Sequence, residues 1–179
     1  YNPYHQAAEL AGAEVVHIRT TMDTNFCLTA EMVEAHITPK SKILVLINPN
    51  NPTGTVTPPA EIARIAEVAR RHDLIVISDE IYARLTYGNH SVQPVAALSG
   101  MFERTLTLSG FSKAYAMTGW RIGYFAGPPD LIPALAEVNH AFAISTAAVS
   151  QHAALAALTG PQDCVEAMRQ TYDERRRAL

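Results

Sequence analysis

Two kinds of apolar spacing alternate along the chain. ILVLI (43–47) and LIVI (74–77) are unbroken apolar runs of strand length, and TLTL (105–108) and RIGYFA (121–126) add two more candidate strands. Between them the apolar positions change to a helical period. Ile62, Ile65, Ala66 and Ala69 fall on one stripe, behind a start signal at Thr57 and Pro58. Strands that do not alternate with polar residues need cover on both faces, which intervening helices supply. The pattern predicts an α/β domain of three layers, α/β/α, around a mainly parallel sheet. RIGYFA follows TLTL after a short connection and is expected to run antiparallel.

The same reading extends to the two ends. Asn2 is the expected cap of a helix beginning at Pro3, with Tyr4, Ala7, Ala8 and Ala11 on one face and Gly12 just past its end. AEVVHI (13–18) reads as a strand. Leu28 and Thr29 form a staple and cap for a short helix running to about Ile37, with Val33 as the staple's partner. From Pro129 onward the pattern is helical, with one expected break at Gly160–Pro161, and Val165, Met168 and Tyr172 share a face of the last helix. That helix reaches Leu179 without a stop signal, and Tyr1 has no strand before it. The expectation is the middle of a larger chain.

Composition narrows the class. The 179 residues suffice for one sizeable core, and the net charge of -3 carries no basic stripe. Arg175–Arg177 is the single basic run and follows Asp173 and Glu174, as on a solvated helix face. Nucleic acid is therefore not an expected partner. No apolar run reaches membrane-spanning length, and YNPYHQ has no signal-peptide character, so neither a membrane nor export is expected and the predicted location is cytoplasmic. Cys27 and Cys164 stand far apart, and no histidine pair has HxH or HxxxH spacing, so no metal is expected.

Each apolar strand leads into a polar loop: NPNNPTG (48–54), SDEIY (78–82) and SGFSK (109–113). Loops that follow parallel strands emerge together at the carboxyl edge, where open α/β sheets bind ligands. Asn51, Asp79, Tyr82, Ser112 and Lys113 would meet there, with Arg121 a few residues further on. Taken singly, each of these residues reads as structural. Together they offer a distinct set of chemistries. A lysine amine in a partly dry pocket loses its proton more readily and becomes a nucleophile toward aldehydes. Arg121 and Ser112 suit a phosphate, Asp79 suits a cationic ring nitrogen, and Tyr82 and Asn51 can donate to a phenolate oxygen. Pyridoxal 5'-phosphate carries all four groups.

The series N-P-x-N-P-T-G, D-E-x-Y, S-K and G-x-R-x-G, ending in KAYAMTGWRIGY (113–124), resembles the large domain of fold-type I, class I/II pyridoxal-phosphate aminotransferases of the aspartate aminotransferase group, over nearly all of residues 1–179. The resemblance implies Lys113 as the lysine that links to the cofactor and later carries the proton. It implies Asp79 at the pyridine nitrogen, Tyr82 and Asn51 at the ring oxygen, Ser112 and Arg121 at the phosphate, and a cis bond between Asn51 and Pro52. Trp120 is expected in the core. Many relatives carry a serine three residues before the lysine. Here that position is Gly110, with Ser109 beside it, which makes Ser112 the better phosphate ligand.

The activity implied is ping-pong amino transfer between an amino acid and a 2-oxo acid, by a homodimer. The resemblance also implies pieces not found in these residues: an N-terminal arm, a phosphate loop with a stacking aromatic ring, and a small domain that grips the substrate carboxylate. The motifs fix the cofactor more firmly than the reaction. A β-eliminating lyase or synthase on the same scaffold, or an aminotransferase-like sensor domain of a transcription regulator, remains open at this point.

Overall fold

The computed structural model describes residues 1–179. Its centre is a four-stranded sheet in the order β1 (Ile43–Ile47), β2 (Ile75–Asp79), β3 (Thr105–Gly110) and β4 (Gly123–Ala126). β1, β2 and β3 are parallel and β4 is antiparallel to β3. The expected α/β class, mainly parallel sheet and reversed last strand are all present.

Six helices accompany the sheet: α1 (Asn2–Leu10), α2 (Ala30–His36), α3 (Pro59–Arg71), α4 (Ile132–Ala143), α5 (Ala148–Thr159) and α6 (Asp163–Ala178). α2 and α3 lie against one face of the sheet. Leu44 and Leu46 of β1 and Val76 of β2 point into them and meet Val33, Ile62, Ile65, Ala66 and Ala69. Val33 and Ile62 are 1% exposed, so each contributes about 1.5–3 kcal/mol by leaving water. On the other face of β1, Ile43 is 57% exposed and Val45 38%.

Local chemistry accounts for the helix boundaries. Thr29 Oγ1 accepts from the Met32 N–H at 3.3 Å, the expected cap of α2. The Ala30 N–H, another donor left over at that end, goes to Glu61 of α3 at 2.6 Å. α3 opens with Pro59, whose missing N–H is no loss in a first turn, and closes with Arg70 and Arg71 near its negative end.

Four expectations need correction. The cap position of α1 is Tyr1 rather than Asn2, and no side chain fills the role. AEVVHI forms no strand, because no neighbouring strand offers it a ladder; only Ile18 packs against the core. Trp120 is 43% exposed, not core, and lies in a 3-10 turn before β4. The C-terminal third has a second break before Gly160–Pro161. The chain leaves α4 at Ile144, with φ 59°, and Ser145–Ala147 separate it from α5. Serine and threonine compete for backbone hydrogen bonds, which favours an interruption there.

Candidate active site

Sheet register decides which loops meet. Ile47 of β1 pairs with Asp79 of β2, and Asp79 pairs with Leu108 of β3. The three strands therefore end in one row, and loops 48–54, 80–82 and 111–113 leave the same edge. Backbone bonds tie them together there. The Asn48 N–H donates to the Asp79 carbonyl at 3.0 Å, and the Glu80 N–H to the Leu108 carbonyl at 2.9 Å.

The first loop is braced from within. Asn48, 3% exposed, accepts from the Thr57 N–H through Oδ1 at 2.9 Å. The Asn50 N–H donates to the Thr55 carbonyl at 2.9 Å. The Asn51–Pro52 bond is cis as expected, and so is Asn48–Pro49, which the sequence reading did not anticipate.

Asp79 is 8% exposed and both its oxygens are engaged. Oδ1 accepts from the Ile81 N–H at 3.1 Å, and Oδ2 accepts from the Tyr4 hydroxyl at 2.5 Å. Burial, then the bond to Asp79, pushes the Tyr4 phenol well above its ordinary range. The Tyr1 ring stands edge-on to the Tyr4 ring with centroids 5.8 Å apart. The sequence reading counted Tyr4 as a packing residue and passed over Tyr1. The available signal was a phenol hydroxyl on an apolar helix face, which needs a polar partner when buried.

Glu80, next in the chain, does something different. Oε1 accepts from the Ser78 hydroxyl at 2.9 Å and from the Val95 N–H at 3.4 Å. Burial raises its pKa, and the charge of Asp79 adds to the rise, against the lowering effect of these two bonds. It anchors the 3-10 turn at Val95–Ala97 to the end of β2.

Lys113 lies in the turn after β3, where its carbonyl accepts from the Ala116 N–H at 3.2 Å. Its Nζ sits 5.7 Å from the centre of the Tyr82 ring. Every ion pair in the chain uses an arginine or a histidine, so Lys113 has no carboxylate partner. Arg121 has left-handed backbone, φ 49°, and donates through one nitrogen to the Thr118 carbonyl at 2.9 Å. Because Gly110 pairs with Gly123, the connection from 111 to 122 folds back on itself, and Ser112 and Arg121 stand at its two ends. Side-chain hydrogen bonds around this edge run through Asn48, Asn50, Asp79 and Arg121 and leave Asn51, Tyr82 and Ser112 free.

Ser109 and Gly110 have separate structural reasons. Leu108 shares a row with Asp79, so Ser109 projects from the opposite face, where it lines a cleft with Thr107, Tyr124 and Leu158. At Gly110 an added Cβ would lie 2.9 Å from the Gly123 Cα and 3.3 Å from the Ile122 carbonyl oxygen. A serine there would force the β3–β4 pair apart.

The donor set fits a ligand with separated anionic and cationic features. A positioned carboxylate, an uncommitted amine, a guanidinium with spare N–H groups and three free hydroxyl or amide groups share one edge.

Comparison with known proteins agrees in extent and in kind. The family model for aminotransferase class I and II matches residues 1–179. An aspartate aminotransferase of Musicola paradisiaca is 42% identical over 173 residues, which is 97% of this chain and 43% of that protein. A bifunctional aspartate aminotransferase and glutamate/aspartate-prephenate aminotransferase of Petunia hybrida is 45% identical over 156 residues, 87% of this chain and 33% of that protein. The crystal structure of an aromatic aminotransferase from Pyrococcus horikoshii superposes with a TM-score of 0.96 at 38% identity, over 99% of this chain and 48% of that one. The chain thus spans less than half the length of each of these relatives. With a match along its whole length, the chain belongs to the class I and II aminotransferase family.

Proposed function

We propose that residues 1–179 form the cofactor-holding part of an enzyme that moves an amino group from an amino acid to a 2-oxo acid, with pyridoxal phosphate as cofactor. The single observation that carries this reading is the shared carboxyl edge. There the carboxylate of Asp79 is held by two donors, and the amine of Lys113 stands over Tyr82 without a counter-ion. When bound, pyridoxal phosphate supplies an aldehyde that condenses with amines and a ring that accepts the electron pair left at the substrate's α-carbon.

The chain's own residues divide the remaining work. Lys113 would supply the amine for the aldehyde and, as a free amine, a base placed to take the substrate's α-proton. Asp79 offers its carboxylate to a protonated ring nitrogen. Tyr82 and Asn51 donate to the ring oxygen. Ser112 and Arg121 hold the phosphate, the guanidinium as a planar donor and the hydroxyl as a single one. The relatives named for aspartate, prephenate and aromatic substrates support amino acids and 2-oxo acids as the substrate class.

Pairing of two copies belongs to the same reading. α4 has no buried residue and presents Val138 and Phe142 to solvent, 55% and 89% exposed. Apolar exposure of that kind favours a protein partner.

The test is direct. Pyridoxal phosphate added to the natural polypeptide containing these residues produces a visible absorbance band. Borohydride fixes the cofactor covalently, and peptide mapping finds the label on Lys113. Lys113→Ala abolishes both band and label. A label on Lys40 or Lys42, or a band that survives Lys113→Ala, contradicts the assignment.

A further inference from the structure

We propose that Tyr4 is a positioning residue for Asp79, fixing the plane of its carboxylate toward the ring nitrogen of a bound pyridine cofactor. The proposal rests on the function proposed above and adds to it a residue on an element remote in sequence. Tyr4 lies 75 residues from Asp79, on a helix outside the sheet, and its hydroxyl reaches Oδ2 at 2.5 Å. The Ile81 N–H holds Oδ1 at 3.1 Å. One donor on each oxygen removes the carboxylate's freedom to rotate. With a single donor it would swing about its Cβ bond, because a terminal sp3–sp2 torsion is broad. Asp79 is 8% exposed, so water is a poor substitute for a lost donor.

The placement of Tyr4 is itself over-determined. Pro3 fixes the first turn of α1, which sets the direction from which Tyr4 approaches. The Tyr1 ring packs edge-to-face on the Tyr4 ring and limits its tilt. The groups that face the phenol are the Asp79 carboxylate and the Tyr1 hydroxyl. Burial disfavours the phenolate most, and the hydrogen bond to Asp79 and its negative charge disfavour it further. Tyr4 is therefore a donor and not an acceptor in this bond.

Two readouts test this, the first without cofactor. In a chain carrying carbon-13 at the tyrosine Cζ, Tyr4→Phe identifies the Tyr4 resonance, and pH titration follows its phenol. In Asp79→Asn the fold is kept but the negative charge is gone, and Tyr4 ionises at least about one pH unit earlier than in the wild type. It does not reach the value of a free tyrosine, because burial remains. A tyrosine spectrum in which no resonance titrates differently in Asp79→Asn overturns the pairing, an outcome read without the Tyr4→Phe assignment.

The second readout uses the natural polypeptide with pyridoxal phosphate. Tyr4→Phe weakens cofactor affinity by up to about tenfold, the cost of ordering a freed side chain on binding, and moves the pH at which the visible band changes. Identical affinity and pH profile in wild type and variant overturn the role of Tyr4 while the proposed function stands. Absence of any band in the wild type overturns both.

Discussion

Residues 30–79 and residues 121–159 are both rich in apolar side chains, the second more so, yet these side chains meet opposite fates. In the first segment α2, β1, α3 and β2 bury their apolar side chains in one another. Val33, Ile62, Ile65, Ala69 and Val76 are all 2% exposed or less. In the second segment β4 and α4 bury nothing, and α5 buries only Ser150 and Ala154. Phe142, Ile144 and Val149 are 89%, 73% and 65% exposed. Apolar patterning alone does not say where a side chain ends up. Closure requires a second surface of matching shape, and only the first segment contains both surfaces within itself. The candidate site sits at the border between the two. Asp79 belongs to the closed segment and Arg121 to the open one.

The sharpest break of this comparison is Ile65→Ala. Ile65 is 2% exposed at the centre of the α3 stripe, so its truncation leaves a cavity that the parallel strands cannot fill. The expected cost is about 3 to 4 kcal/mol, read as a lower urea midpoint with an unchanged slope. A loss below about 1 kcal/mol would mean that the closed segment is loosely packed, and the contrast with residues 121–159 would disappear.

A smaller effect sharpens the view of the border. Asp79 and Glu80 are adjacent acids with separate tasks: one is held toward the candidate site, the other anchors the turn at Val95. The folded pKa of Glu80 is raised, chiefly by burial. The folded state therefore binds its proton more tightly than the unfolded chain does. The stability contributed in this way is complete below the unfolded value of about 4.3 and is lost as pH rises through the folded value. Glu80→Gln keeps the shape and cannot ionise. Between about pH 4 and neutrality the difference in stability between variant and wild type must therefore move in the variant's favour. Urea melts at a series of pH values measure it, and a flat difference would mean that Glu80 is not desolvated.

How much of this was legible in the chain depended on how local the cause was. The ILVLI run, the Ile62–Ala69 stripe and the Thr29 cap are set by neighbours within a few residues, and all three lie where the spacing put them. The common edge of the three loops was legible because parallel strands leave no other outcome. The cis bond at Asn51–Pro52 came from family resemblance and not from spacing. AEVVHI failed because a strand is defined by its partner. The Tyr4 bond was missed because its acceptor is 75 residues away. Gly110 looked like a lost phosphate ligand in the sequence. In the structure it is a steric requirement of the Gly123 pairing, a contact that only folding creates.

The smallest expected effect on stability belongs to the open segment. Val138 and Phe142 lie one turn apart on α4, on the same face, with nothing from the chain covering them. Phe142→Ala removes a large apolar surface that is already in water, and alanine is at least as good a helix former. The unfolding free energy of the separated chain should therefore stay within about 0.5 kcal/mol of the wild type, in contrast to Ile65→Ala. Self-association should respond in the opposite sense. If α4 is covered by a second copy, Phe142→Ala shifts the sedimentation profile toward the monomer at concentrations where the wild type pairs. A variant that unfolds as readily as Ile65→Ala would place α4 in a packed core of the single chain. A variant that is unchanged in both respects would remove the second copy as the cover of this face.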